Sequence, residues 1–182
     1  MSSLIIFTGG LATLKTTLSK RIAQDLSLLC LNKDDIKAVL VDHIGFNNRE
    51  ENKKLSNAAV QTMFEIAHGS FLINQSMVIE ANFKQPELNA ILEKTGYDES
   101  QILTIFLQGN PKTLYERYVS RQASRHIAHT STGLLSFEVF EASIKEHRVE
   151  DAIGKVVVID TTVFTEKHYH ILLAVIQSHL NR

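Results

Sequence analysis

At 182 residues, 44% of them apolar and 21% charged, the chain has the size and make-up of one folded domain, not of a disordered or fibrous segment. A formal net charge of −1 leaves no overall basic field to draw it to nucleic acid or an anionic membrane, although it permits a local basic patch. The single Cys30, in the apolar run Leu28-Leu29-Cys30-Leu31, excludes an internal disulfide and fits a reducing compartment.

From the N-terminus, Met1-Ser2-Ser3 leads into an apolar run that is too short, and too poor in basic residues, for a signal peptide. No stretch approaches the roughly 20 apolar residues of a membrane span. The expectation is a cytoplasmic chain with no membrane partner and one domain over 1–182. Leu4 to Phe7 reads as the first strand. Four further runs match it, at Leu28–Leu31, Met77–Glu80, Ile102–Leu107 and Val156–Ile159. They are rich in β-branched and aromatic residues without polar alternation, as strands covered on both faces are.

Helical spacing fills the intervals. Leu18, Ile22 and Leu26 recur at i, i+4, i+8 in Lys15–Leu26, and Ile36, Val39 and Leu40 mark a helix over 34–43. Leu55, Ala59, Met63, Ile66 and Ile73 put one long helix in 51–74. Pro86 and Pro111 each suit a first helical turn, and 137–147 and 166–180 supply two more helices. Strand and helix alternating this regularly predict a doubly wound α/β fold, a five-stranded parallel sheet with helices on both faces. The stretch 125–133 has no apolar period, and a flexible element is expected there.

The first strand runs directly into Gly9-Gly10-Leu11-Ala12-Thr13-Leu14-Lys15-Thr16-Thr17, with a helix behind it. The phosphate-loop pattern is Gly, four residues, then Gly-Lys-Ser/Thr; Gly9, Lys15 and Thr16 match it and Leu14 stands where the second glycine belongs. Such a loop aims successive N–H groups at phosphates from the positive end of a helix. Lys15 then reaches the outer phosphates, and the Thr16 hydroxyl is placed to ligate magnesium. A side chain at Leu14 is one that can crowd this loop and weaken nucleotide binding.

The second strand ends in Asn32-Lys33-Asp34-Asp35-Ile36-Lys37, on the carboxyl edge where open α/β sheets bind ligands. A carboxylate there is placed either to take a proton from an acceptor hydroxyl or to cap the following helix. Glu80 and Asn82 end the third strand, as holders of a substrate hydroxyl or a magnesium-bound water, or as an exposed polar edge. Arg117, Arg121 and Arg125 recur every four residues. Their mutual repulsion on one helix face would turn to attraction beside a triphosphate, or they serve the dipole at a helix C-terminus.

These segments, with Arg125-His126-Ile127-Ala128-His129 and Asp160-Thr161-Thr162, resemble in order the small P-loop kinases. That group includes chloramphenicol phosphotransferase, zeta toxins and the kinase domain of phage polynucleotide kinase, and the bacterial "predicted kinases" are the most similar. The resemblance implies a P-loop NTPase fold with a short lid near 117–133 and transfer of the γ-phosphoryl group of ATP, with Mg2+, to a hydroxyl of a small molecule. Alternatives are a polynucleotide or nucleotide 5′-hydroxyl kinase, nucleic acid not being favoured by the charge, and a non-catalytic nucleotide-binding protein. It implies a catalytic role for Lys15, Asp34 and Arg121, with Asp34 as base. It also implies nucleotide binding by residues 9–17 and lid arginines 117 and 121, and substrate binding by Asp34, Lys37, Glu80, Asn82 and Arg125. Asp160 to Thr162 falls beside the nucleoside. Ile127 and Ala128 replace the Pro-Gly common in that lid. His126 and His129, three apart without an acidic or cysteine partner in sequence, fit the lid better than a zinc site.

Overall fold

The computed structural model describes residues 1–129 and 133–181. Five parallel strands, β1 (Leu4–Gly9), β2 (Leu29–Asn32), β3 (Met77–Glu80), β4 (Ile102–Gln108) and β5 (Lys155–Asp160), form one sheet in the order β2-β3-β1-β4-β5. The α-helices are α1 (Lys15–Asp25), α2 (Lys33–Ile44), α3 (Arg49–Leu72), α4 (Gln85–Thr95), α5 (Pro111–Ser120), α6 (Phe137–Lys145) and α7 (Glu166–Leu180). The fold is the doubly wound one expected, and no described helix is long and apolar enough to cross a membrane.

Alternation along β1 explains the two layers. Leu4 and Ile6 point to one face, where they meet Val60, Met63, Phe64 and Ala67 of α3 and Leu88 and Ile91 of α4. Ile5 and Phe7 point to the other and meet Leu18 and Ile22 of α1 and Tyr169, Leu172 and Ile176 of α7. The central strands are therefore buried on both sides, as their unbroken apolar runs demand. β2 and β5 are edges instead, with Leu29 and Val158 exposed. A smaller cluster, Leu114 and Tyr118 of α5 with Phe140 of α6, packs onto Ala12 and Leu11.

The chain winds from β1 out to β2, returns through β3, and crosses to β4 and β5. The carboxyl end of β1 thus sits where the strand order reverses, the place where open sheets leave a crevice.

One expectation changes. Arg117, Arg121 and Arg125 do not share a helix face, because α5 stops at Ser120. Tyr118 is its last buried residue, and Val119 beyond it is exposed, so no packing carries the helix further. The chain continues through short 3-10 turns at Gln122–Ser124 and Ile127–His129. Of the lid expected near 117–133, residues 130–132 lie outside the described residues.

Candidate active site

β1 ends on Gly9, whose φ of 127° and close approach to β4 admit no side chain: a Cβ there would lie 2.0 Å from the Leu107 carbonyl oxygen. The next turn takes left-handed backbone at Ala12 (φ 61°) and Leu14 (φ 64°). Alternating handedness of this kind turns successive amides to one side, making a concave anion nest. Leu14 adopts the conformation that glycine would serve without cost; for another residue it costs about 1–2 kcal/mol. Its side chain packs against the α1–α7 apolar cluster, which offsets that strain. Caps underline the difference between helix ends: Asn32, Asn48, Asn110 and Ser136 cap α2, α3, α5 and α6, whereas α1 starts on Leu14 with no side-chain cap. The first amides of α1 are left to face the pocket.

Lys15 is buried, and its Nζ donates to the Gly10 carbonyl at 2.5 Å and to Thr13 Oγ1 at 3.4 Å. Burial pushes its ammonium down to about 8, with Glu80 and Asp34 pulling the other way. Thr16 donates from Oγ1 to Glu80 Oε2 at 2.9 Å. Glu80, buried at the end of β3, also accepts from the Asn32 amide, which donates to Thr16 Oγ1 at 3.3 Å as well. Burial raises the Glu80 carboxyl above its ordinary range against the pull of Lys15 and Thr16.

Asn32, which the sequence reading passed over as a site residue, does two jobs. Its side-chain oxygen accepts from the amides of Asp34 (2.8 Å) and Asp35 (3.2 Å), so Asn32 is the cap of α2 and Asp34 is not. Asparagine at a strand end, two residues ahead of an acidic pair in the first turn of the next helix, was the available signal. Asp34 turns inward and faces Arg125 and His129 at 3.6 Å and Lys33 at 3.8 Å. Asp35 turns outward to Lys20 at 2.5 Å. Burial alone would raise the Asp34 carboxyl, but Lys33, His129, Arg125 and Lys15 together hold it below the usual range. The two site carboxylates are pushed in opposite directions, a division typical of distinct roles.

Leu11 to Thr17, Asp34, Glu80, Asn82, Arg121 and Arg125 line one pocket. Arg117 does not join them: its guanidinium donates to the carbonyls of Thr161 (2.8 Å) and Thr162 (3.1 Å), tying α5 to the β5–α7 loop. Lys37, also buried, donates to the Ala128 carbonyl at 2.9 Å. His126 meets Asp42 at 2.9 Å, separately from His129. Thr16 and Glu80 offer the hard oxygen donors that magnesium takes. Among the described residues no group of three or more His, Cys, Asp or Glu stands together. A cation held here would therefore owe most of its ligands to phosphate and water.

No protein-family model and no curated protein matches the sequence. Solved structures do resemble it. An inferred kinase from Chloroflexus aurantiacus is 26% identical, with 98% of each chain covered and a TM-score of 0.77. Kti12 of Chaetomium thermophilum in complex with ADP-AlF3 gives 12% identity, 97% and 98% coverage and a TM-score of 0.67. A gluconokinase from Sinorhizobium meliloti gives 12%, 99% and 94% coverage and 0.65. These likenesses, with the loop at the sheet's switch point, show that the chain has the doubly wound P-loop-like fold of these proteins.

Proposed function

We propose that the chain, as one kinase domain over 1–182 with a lid near 117–133, transfers the γ-phosphoryl group of ATP to a hydroxyl of a small molecule. The observation that carries this reading is the meeting of the phosphate loop, Asp34, Arg121 and Arg125 in one pocket. The likeness to an inferred kinase and to a gluconokinase supports it.

The loop amides and Lys15 bind the β- and γ-phosphates, and Arg121 and Arg125 close on the γ-phosphoryl group from the opposite side. The Thr16 hydroxyl, with Glu80 behind it, would hold magnesium, which would neutralise phosphate charge when bound. Asp34 takes the proton of the acceptor hydroxyl. The oxygen forms a bond to the γ-phosphorus, the bond to the β–γ bridging oxygen breaks, and ADP leaves with that electron pair. A depressed carboxylate is a weak base, but a triphosphate lying on Lys15, Arg121 and Arg125 screens the cations that depress Asp34 and raises it again. Arg117 and the β5–α7 loop flank the nucleoside.

A nucleotide or polynucleotide 5′-hydroxyl acceptor is the second reading, favoured by Lys33, Lys37 and Arg125 beside Asp34. Salt-sensitive binding of a short single strand would favour it. The first reading is tested by thermal unfolding with magnesium and nucleotide at millimolar concentration. ATP should raise the midpoint of the wild type and leave Lys15→Ala unmoved. If neither ATP nor GTP shifts the wild type, the nucleotide site is refuted.

A further inference from the structure

Next to the phosphate pocket, and sharing Leu11, Asp34, Asn82 and Arg125 with it, lies a cleft of about 240 Å³ between α2 and the α5–α6 connection. That volume is on the scale of a small molecule. Part of its wall is apolar, from Leu11, Tyr118, Ala128 and Leu135. The rest is polar and mostly basic: Lys33, Lys37 and Arg125 line it with Asn82 and the imidazole of His129, and Asp34 is its only carboxylate among the described residues. Lys33 and Lys37 do not line the phosphate pocket, so bound triphosphate does not account for them.

Nor does Asp34 balance the set, since Lys33, Arg125 and His129 already crowd around it. Lys37 is the clearest case. It is 8% exposed, its Nζ donates to the neutral Ala128 carbonyl, and it forms no ion pair among the described residues. A buried ammonium without a counter-charge is costly, and proteins that keep one supply a partner. Burial, Lys33 and Arg125 push the Lys37 ammonium down, and Asp34, shared with the other cations, pulls it the other way. A neutral polyol would leave that imbalance in place.

We propose that the acceptor is a small anionic alcohol whose carboxylate or phosphate group binds Lys37 and Lys33 while its hydroxyl lies at Asp34. The place of the hydroxyl rests on the kinase reading; the anion site does not.

Calorimetric titration of the protein loaded with ADP and magnesium tests the proposal, because ADP keeps probe anions off the phosphate loop. Two matched pairs serve as probes, tartrate against threitol and glycerol 3-phosphate against glycerol. The anion of at least one pair should bind about tenfold more tightly than its neutral partner, the worth of a charge-assisted hydrogen bond. The pair that shows the preference tells carboxylate from phosphate. Lys37→Met should remove the preference and Lys37→Arg should restore it. Lys33→Met, whose lysine meets Asn82 at 3.1 Å and not the lid backbone, gives the same readout should Lys37→Met lose its fold. Equal binding within both pairs, or a preference that survives removal of both lysines, overturns the proposal. ADP binding without anion preference defeats the anion site alone. Failure of ADP to bind, with a Lys37-dependent preference intact, defeats the kinase reading alone.

Discussion

The phosphate loop and the α5–α6 connection both bring cations to one pocket, but they hold them by different means. Lys15 is fixed by its own loop, through the Gly10 carbonyl, on backbone that Gly9 jams against β4 and Leu14 anchors to the α1–α7 cluster. Arg125 and His126, between the two short 3-10 turns, and His129, in the second, are tied to α2 by side chains: Lys37 to Ala128, His126 to Asp42, and Asp34 to Arg125 and His129. Exposed pairs such as His126–Asp42 contribute only about 0–1 kcal/mol. The loop is thus preorganised by packing, whereas the connection is positioned by charge. Damage to the loop should be felt in nucleotide binding, and damage to the connection in transfer.

Lys15→Ala should break the loop half outright. Transfer falls by at least about 10³-fold, the scale of losing a central phosphate-charge partner. The unfolding midpoint should hold, because the lysine is buried without an apolar role. Arg125→Met attacks the other half: kcat should drop by about 10²-fold with the nucleotide KM nearly unchanged. A rise in KM alone would show that the arginine grips nucleotide as the loop does.

Acidity separates the halves more gently. Lys15 titrates near 8 in the free protein, and bound phosphate raises it, so binding takes up a proton. Affinity is then full below pH 8 and falls above it, towards about tenfold per pH unit, measurable by titration calorimetry in buffers of different ionisation enthalpy. A flat profile from pH 7 to about 9 would remove Lys15 from the phosphate contact. Leu14→Gly should do least. It relieves left-handed strain and loses half-buried packing, so stability should stay within about 1 kcal/mol and affinity within about threefold. Tighter binding beyond that would mean the leucine does crowd the loop.

Much of this was readable in one dimension. Unbroken apolar runs mark β1, β3 and β4, and Lys15 and Thr16 follow β1 at phosphate-loop spacing because one local turn builds that site. The period-four arginines misled, since spacing says nothing of where packing stops and α5 ends at Ser120. Contacts between distant segments were out of reach: Asn32 with Glu80, 48 positions apart, Thr16 with Glu80, 64 apart, and Lys37 with Ala128, 91 apart. Only the order of strands in the sheet brings the first two together, and only the closing of the connection onto α2 makes the third.

The central claim is that Asp34 serves transfer, not folding or nucleotide binding, and the fate of γ-labelled phosphate from ATP in Asp34→Asn tests it most directly. Asn32 already caps α2, so the variant should fold as the wild type does. It should bind ATP within about threefold yet label an acceptor hydroxyl about 10²- to 10⁴-fold more slowly, the usual contribution of a general base. Asp35→Asn, which loses only the surface contact with Lys20, should label at the wild-type rate. Labelling by Asp34→Asn as fast as by the wild type, with Asp35→Asn slowed, would contradict the account.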